Sequence, residues 1–353
     1  MDSIISDSYA VHFNENAFQA LNTHLAQKKY SIVFILVDEN THELCLPNFM
    51  AEISGEYQFE IIEIESGEVN KNIETCVGVW EALSELGADR KSVMINLGGG
   101  VLTDMGGFVA STFKRGIDFI NVPTTLLSMV DASVGGKTGV DLGSLKNQIG
   151  VINQPVMVLV VPDFLDTLEN RQVRSGFAEM LKHGLIQDTA YWGSLKDAES
   201  LDDMKNHILT SIQIKNKVVL QDPTEQHIRK ILNYGHTLGH AIESYFLENE
   251  SKEILLHGEA IAIGMILEAY LSNKLLGLTN ETLEDIKTTF LSRYDKIEFL
   301  NDDIENILKL MKYDKKNSHG KVNFVLLKSI GEPKVDVEIP VELFSDAFAY
   351  YKV

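Results

Sequence analysis

The chain has 353 residues, 44% of them hydrophobic and 8% aromatic, proportions of a globular protein long enough for two domains with separate cores. Its 31 Lys and Arg against 51 Asp and Glu give a net charge of −20, which argues against nucleic acid or an anionic membrane surface as the main partner. Only Cys45 and Cys76 are present, so no disulfide framework is expected. The N-terminal MDSIISDSYAVHF lacks the basic and apolar regions of a signal peptide, and the longest apolar runs, 32–37 and 156–161, are too short to cross a bilayer. A soluble protein of a reducing compartment is expected, most simply cytoplasmic.

In chain order, SIVFILVDEN (31–40), FEIIEIESGE (59–68), SVMINLGGG (92–100) and PVMVLVVPD (155–163) are short β-branched runs that end in Gly, Asp, Asn or Pro. Segments of helical length such as 71–86 lie between them, and this alternation predicts a parallel sheet covered on both faces. Asp38 closes the first strand, where it could accept from ribose hydroxyls; Glu68 and Lys71 follow the second, though each alone passes as a cap or a solvated charge. Eleven of the 25 glycines fall within 98–150. Gly98, Gly99 and Gly100 follow a strand, and Thr103, Asp104, Gly106 and Gly107 lead into the helical run FVASTF, which brings backbone N–H groups to an anion such as a pyrophosphate. A GxGxxG begun at Gly98 needs its third glycine where the chain has Thr103, so a plain strand-to-helix turn stays equally open.

The stretch NVPTTLLSMVDASVGGKTGVDLGSLKNQIG (121–150) places Asp131, Lys137, Lys146 and Asn147 on or beside glycine-rich connections. In so acidic a chain, Lys137 and Lys146 form a local positive site for a phosphate or carboxylate. GGKTG is not a Walker A loop, because Asp131 stands where that motif requires a glycine.

Between Asp163 and Glu332 there is one proline, Pro223, and apolar residues recur at helical spacing over 204–220 and 260–276, so the second half reads as mostly helical. The boundary is placed at 168/169, giving domains 1–168 and 169–353. Three segments of the second domain, GFAEMLKHG (176–184), LNYGHTLGH (232–240) and LHGEA (256–260), hold Glu179, His236 and His257, which could close around one divalent metal with His240 as a fourth candidate. His236 and His240, at i and i+4, could equally line one helix face.

The strings GGGVLTDMGGF, KRGIDFINVPTTLLSMVDASVGGKTG, LKNQIG, GFAEMLKHGLI, RKILNYGHTLGHAIE and LHGEAIAIGM resemble, in order, the motif series of the 3-dehydroquinate synthase family, over roughly residues 95–265. The resemblance implies an α/β NAD-binding domain with a parallel sheet, a mostly α-helical metal-binding domain, and a site in the cleft between them. It assigns the metal, zinc or cobalt, to Glu179, His236 and His257, and moves His240 to the substrate side. Lys182 and Asp131 resemble substrate-hydroxyl contacts. Lys137 and Asn147 resemble the phosphate-binding set together with Asn233, and Lys215 and Arg229 the pair that holds a substrate carboxylate. Glu225 is similar to a water-mediated contact, and Lys316 rather than Lys315 to a phosphate contact. Arg115 is similar to an arginine that enters the neighbouring subunit's site, so a homodimer is expected. For NAD, Asp38, Glu68, Lys71, Gly99, Gly100, Val101, Asp104, Thr124, Thr125, Thr167 and Leu168 match the family pattern, with Lys137 and Lys146 beside them.

The implied activity converts a seven-carbon 3-deoxy sugar acid phosphate, 3-deoxy-D-arabino-heptulosonate 7-phosphate, to 3-dehydroquinate and phosphate, a step of the shikimate pathway to aromatic amino acids. Transient oxidation by NAD acidifies a proton, phosphate is eliminated, the hydride returns, and an aldol closure forms the ring. Two departures stand out: Gln172 and Val173 follow Arg171 where the family usually has Arg-Glu, and Leu145 precedes Lys146 where glycine is frequent. Neither removes an expected ligand. Two other readings stay open, a sister cyclase forming an inosose or valiolone, and a metal-dependent NAD alcohol dehydrogenase.

Overall fold

The apolar runs of the first half become strands because sheet neighbours and helices cover them on both faces. Residues 3–143, 145–311 and 322–353 are described by this computed structural model, which divides into two units, Met1–Val173 and Arg174–Val353.

The first unit contains β1 (Ile4–Ile5), β2 (Ala10–Phe13), α1 (Glu15–Lys28), β3 (Val33–Asp38), α2 (Glu39–Leu44), α3 (Leu46–Ala51), β4 (Phe59–Ile64), α4 (Ile73–Glu85), β5 (Val93–Gly98), α5 (Gly100–Thr112), β6 (Asp118–Pro123), β7 (Lys137–Leu142), β8 (Leu145–Ile152) and β9 (Met157–Val160). Seven strands form one sheet in the order β1-β2-β9-β6-β5-β3-β4, parallel except at the β1–β2 edge. Every residue of β5 and β9 is buried, which is why these strands read as unbroken apolar runs. One face of the sheet meets α4 and α5 through Phe34, Leu36 and Met94 against Val79, Leu83, Leu102 and Val109. The chain passes from β3 outward to β4, then returns to the other side of β3 as β5. Strand order therefore reverses at β3, and the crevice where ligands bind in such sheets opens beyond Asp38 and Gly98.

β2, β6 and the β7–β8 hairpin were not expected from the sequence. β2 is four residues long, and β6 carries Asn121, whose Oδ1 accepts from Asn96 Nδ2 at 2.9 Å inside the core. In the hairpin Gly139 lies opposite Gly150, and a Cβ on Gly150 would stand 2.3 Å from Thr138 O. Those two glycines permit close strand contact, so part of the glycine-rich stretch is scaffold.

The second unit follows within α6 (Asn170–Gln187) and continues through α7 (Thr189–Lys196), α8 (Leu201–Gln221), α9 (His236–Glu248), α10 (His257–Leu276), α11 (Asn280–Leu291), α12 (Asn301–Met311), β10 (Asn323–Ser329), β11 (Glu332–Glu338) and α13 (Glu342–Lys352). The β10–β11 hairpin was also missed, since helical spacing was read only as far as 276. Phe324 to Leu327 of β10 are buried, and Leu327 N donates to Ser272 Oγ of α10 at 2.9 Å. Among the described residues no helix is long and apolar enough to cross a membrane.

Glycines set the closest helix contacts of this unit. A Cβ on Gly264 of α10 would stand 2.0 Å from Gly235 O and 2.8 Å from Gly239 N, and one on Gly258 would stand 1.9 Å from Ser175 O. Backbone cannot rotate away as a side chain can. Gly264→Ala should therefore cost about 1–3 kcal/mol through overpacking, whereas Gly78→Ala in α4, where a Cβ meets nothing within 4 Å, should be neutral or stabilising by up to about 1 kcal/mol. Thermal and denaturant unfolding of the two variants checks the contrast.

Candidate active site

In the first unit, residues from four segments lie at or near the carboxyl ends of β3, β5 and β6. Asp38 ends β3 and caps α2, accepting from Thr41 N at 2.7 Å and Thr41 Oγ1 at 3.0 Å through Oδ1. Gly99 is the N-cap of α5, which begins Gly100-Val101 and carries Asp104. A Cβ on Gly99 would stand 3.1 Å from Thr125 Cγ2, so Thr124 and Thr125, after β6, adjoin the same helix start. Gly106, where a Cβ would fall 2.1 Å from Asn96 Oδ1, allows α5 to lie close on the sheet. That is the part the third glycine of a dinucleotide fingerprint plays, displaced from Thr103. Thr167 Oγ1 lies 3.8 Å from Cys45 Sγ, and Leu168 follows it.

Beside this helix start lies a partly buried charge network. Lys71 Nζ donates to Asp104 Oδ2 at 2.6 Å and to Asn147 Oδ1 at 2.8 Å; Lys146 Nζ donates to Glu68 Oε1 at 2.9 Å and meets Asp141 Oδ2 at 3.2 Å. Burial opposes the Lys71 charge, but Asp104, Glu68 and Asp141 outweigh it and raise the ammonium's pKa. Asp141 was missed by the sequence reading. It accepts from Asn147 N at 2.6 Å and so holds Asn147 in the left-handed region, at φ 50. Burial raises the Asp141 pKa, and the two lysines oppose that rise. The network ties Lys146 and Asn147 to Glu68, Lys71 and Asp104, whereas Lys137 is exposed at the start of β7.

Asp131 lies in a single π-helical turn, Ser128–Ala132, of the kind found at functional positions. Arg115 is exposed on a tight turn where it and Lys114 both take left-handed backbone, φ 69 and 48.

In the second unit, α6, α9 and α10 bring the metal candidates together. Glu179 Oε1 lies 3.5 Å from His236 Nε2 and 3.6 Å from His257 Nε2. Donors sharing a tetrahedral zinc stand roughly 3.3 Å apart, so the spacing suits one ion. Each ring is anchored on its far side: His236 Nδ1 donates to Tyr234 O and His257 Nδ1 to Glu243 Oε2, both at 3.1 Å, which turns Nε2 towards Glu179. Burial alone would favour a neutral His257, yet Glu243 and Glu179 outweigh it and push its pKa up to about 10. The carboxylates thus demand positive charge at this imidazole, a demand that a divalent ion meets. His240 completes the group, its ring 5.1 Å from His236 and 5.7 Å from His257, with a ligand atom within 4.8 Å of theirs. Lys182, one turn along α6 and fully buried, pairs with Glu179 Oε2.

Glu243 also escaped the sequence reading. It lies seven residues after His236 on α9, a spacing that places both on one helix face and could have marked it.

The anion-binding candidates stand on α8 and the loop after it. Lys215 and Arg229 are 5% and 2% exposed, and Arg229 Nη1 donates to Pro223 O at 2.7 Å. Asp222 shapes the loop by accepting from Gln226 N, His227 N and Arg229 N at 3.0, 2.7 and 3.0 Å. Burial raises its pKa, but the three amides outweigh that and hold it below the usual carboxylate range. Asn233 Nδ2 donates to Glu225 Oε1 at 2.7 Å, with Glu225 in the left-handed region at φ 59. Lys315 and Lys316 lie outside the described residues.

This architecture is that of the sugar phosphate cyclases. A 2-deoxy-scyllo-inosose synthase solved with carbaglucose-6-phosphate, NAD+ and Co2+ superposes with a TM-score of 0.86 at 23% identity, covering 99% of each chain. The 2-epi-5-epi-valiolone synthase of Streptomyces hygroscopicus, with NAD+ and Zn2+ bound, superposes at 0.85 with 25% identity, covering 100% of this chain and 99% of that one. At the level of sequence the match is narrower. Residues 61–175 match the family model for the 3-dehydroquinate synthase N-terminal region and 176–317 that for its C-terminal region. A 3-dehydroquinate synthase of Parabacteroides distasonis is 41% identical over 337 residues, 94% of each chain. The chain belongs to the 3-dehydroquinate synthase family.

Because Glu243 fixes the His257 ring, Glu243→Ala should weaken zinc binding about 10–100-fold while leaving NAD affinity unchanged. Chelator competition for zinc and NAD titration by calorimetry measure the two.

Proposed function

We propose that this chain is a 3-dehydroquinate synthase, a carbon–oxygen lyase that converts 3-deoxy-D-arabino-heptulosonate 7-phosphate to 3-dehydroquinate and phosphate. One observation carries the choice within the family's chemistry: besides Lys182, which pairs with Glu179, the unit that holds the metal donors buries Lys215 and Arg229, the two cations that the resemblance assigns to a carboxylate. A substrate with a carboxylate uses such a pair, whereas the substrates of inosose and valiolone cyclases, which lack one, do not. We assign residues 1–168 to coenzyme binding and residues 169–353 to metal and substrate binding, in a cytoplasmic homodimer.

When bound, NAD would supply a hydride acceptor that later returns the hydride, and a zinc or cobalt ion would supply a Lewis acid for substrate hydroxyls. The α5 start would hold the coenzyme, with Gly99, Gly100 and Val101 for the pyrophosphate, Asp38 for the ribose, and Thr124, Thr125, Thr167 and Leu168 as further contacts. Lys71 and Lys146, bound to Asp104 and Glu68, keep that side of the crevice rigid and close to neutral. The ion is held by Glu179, His236 and His257. His240, Lys182 and Asp131 orient substrate hydroxyls. At one end of the substrate, Lys215 and Arg229 hold the carboxylate; Glu225, which accepts from Asn233 Nδ2, makes a water-mediated contact. At the other, Lys137, Asn147, Asn233 and Lys316 hold the phosphate, joined by Arg115 of the second copy. Asn147 Oδ1 is turned to Lys71, so its Nδ2 is the end that donates to phosphate. With both anions fixed, the phosphate is poised to take the proton of its own elimination, and the same cations hold the open chain for aldol closure.

Purified protein given NAD, a divalent metal and the sugar acid phosphate should release one phosphate per turnover with no net NADH. Accumulating NADH would identify a dehydrogenase, and absence of phosphate release from metal-loaded protein would exclude the proposal. Lys215→Ala and Arg229→Ala should each lower kcat/KM by the roughly 1.5–3 kcal/mol of a hydrogen bond to a charged group, mainly through KM. Unchanged kcat/KM in both would show that the carboxylate lies elsewhere.

A further inference from the structure

α9 starts at His236 in a way that forbids it a cap of its own. Its N-cap, Gly235, takes φ 80 and ψ −16, and no side chain there caps the helix. A Cβ on Gly235 would stand 2.3 Å from Met265 Cγ and 3.1 Å from Met265 N, so the Ser, Thr or Asp that ordinarily caps a helix does not fit. The first N–H groups of the helix still require acceptors.

Glu268 of α10 supplies them from outside. Its Oε2 accepts from Gly235 N at 2.6 Å, and its Oε1 faces Leu238 N at 3.4 Å. The same face of α10 grips the segment twice more: Tyr234 Oη donates to Met265 O at 3.0 Å, and Gly264, one turn before Glu268, admits Gly235 O. Residues 234–238 are therefore fixed at positions 264, 265 and 268 of one helix. His236 lies in the middle of that segment, with its Nδ1 donating to Tyr234 O. Glu268 is itself fully buried, at 0% exposure. Burying a carboxylate is costly, and an apolar side chain would fill the space without that cost, so the group is retained for the hydrogen bonds it makes. A negative charge also complements the start of the helix.

We propose that Glu268 is a positioning residue for the metal ligand His236, setting the direction in which its Nε2 meets Glu179 by capping α9 from α10. The proposal rests on the assignment of the metal to Glu179, His236 and His257, and extends the site to a residue that touches neither metal nor substrate.

The test uses the full chain stripped of metal and reloaded with Co2+, whose visible absorption reports ligand geometry. E268Q keeps one acceptor at the same reach, enough for the short bond from Gly235 N, and turns its NH2 towards the more distant Leu238 N, so it should largely hold the spectrum and keep the Co2+ dissociation constant within about threefold. E268D withdraws the carboxylate by one methylene and should change the spectrum and raise the dissociation constant about tenfold or more, with NAD affinity unchanged. A cap with a merely structural role would lower the melting temperature of E268D and leave the spectrum and affinity of the folded protein as they were, which would overturn the proposal. An E268Q spectrum as altered as that of E268D would overturn it too, because keeping the acceptor for Gly235 N in place would then not keep the ligand in place. Linkage gives a further measurement that needs no variant: metal loading should slow hydrogen exchange at the Gly235 amide, and an unchanged rate contradicts the proposal. If the unsubstituted chain binds no Co2+ at all, the metal assignment has failed rather than the role of Glu268.

Discussion

The site depends on backbone-to-backbone contact of helices at glycine. Glu179, His236 and His257 come from three helices, and an ion accepts its ligands only within a few tenths of an ångström. Gly264 lets α10 touch the start of α9, and Gly258 lets the start of α10 touch Ser175 of α6, with Gly258 N donating to Ser175 Oγ at 2.9 Å. These contacts fall beside the ligands themselves, for Gly235 precedes His236 and Gly258 follows His257. Packing and coordination are thus set by the same few residues. Side chains at those positions would hold the helices apart and separate the donors.

The distribution of charge follows a similar economy. A chain of net charge −20 buries several of its cations, and Lys71, Lys146 and Arg229 are set among carboxylates or carbonyl oxygens. Lys71 and Lys146 are held by Asp104, Glu68 and Asp141; Arg229 is held by Pro223 O on a loop whose turn is made by the Asp222 carboxylate. Asp141 and Asp222 each bind backbone N–H groups rather than a ligand, and they fix Asn147 and Arg229 in the positions from which those side chains can act.

The sequence made some of this legible and hid the rest for identifiable reasons. β3, β5 and β9 were plain because both faces are covered, so nearly every residue is apolar. β7 and β8 were hidden because Gly139 and Gly150 face each other in the hairpin, and glycine in a run reads as a loop. The spacing of Glu179, His236 and His257 marked a metal site, but His240 has the same residue type on the same helix face, and the structure keeps its ring within 6 Å of the other two. Family resemblance, not spacing, separated it from the ligands. Glu243 was marked only by its helical spacing from His236, and Asp141 and Glu268 were invisible because their partners include backbone groups on other segments, which nothing in local sequence records.

The assignment of one ion to Glu179, His236 and His257 is tested most directly by crystals of the zinc-loaded protein measured at the zinc absorption edge. The account predicts a single anomalous peak at about 2.0–2.2 Å from a Glu179 oxygen and from Nε2 of His236 and His257, with His240 beyond bonding distance. A peak bonded to His240 in place of Glu179 would contradict it.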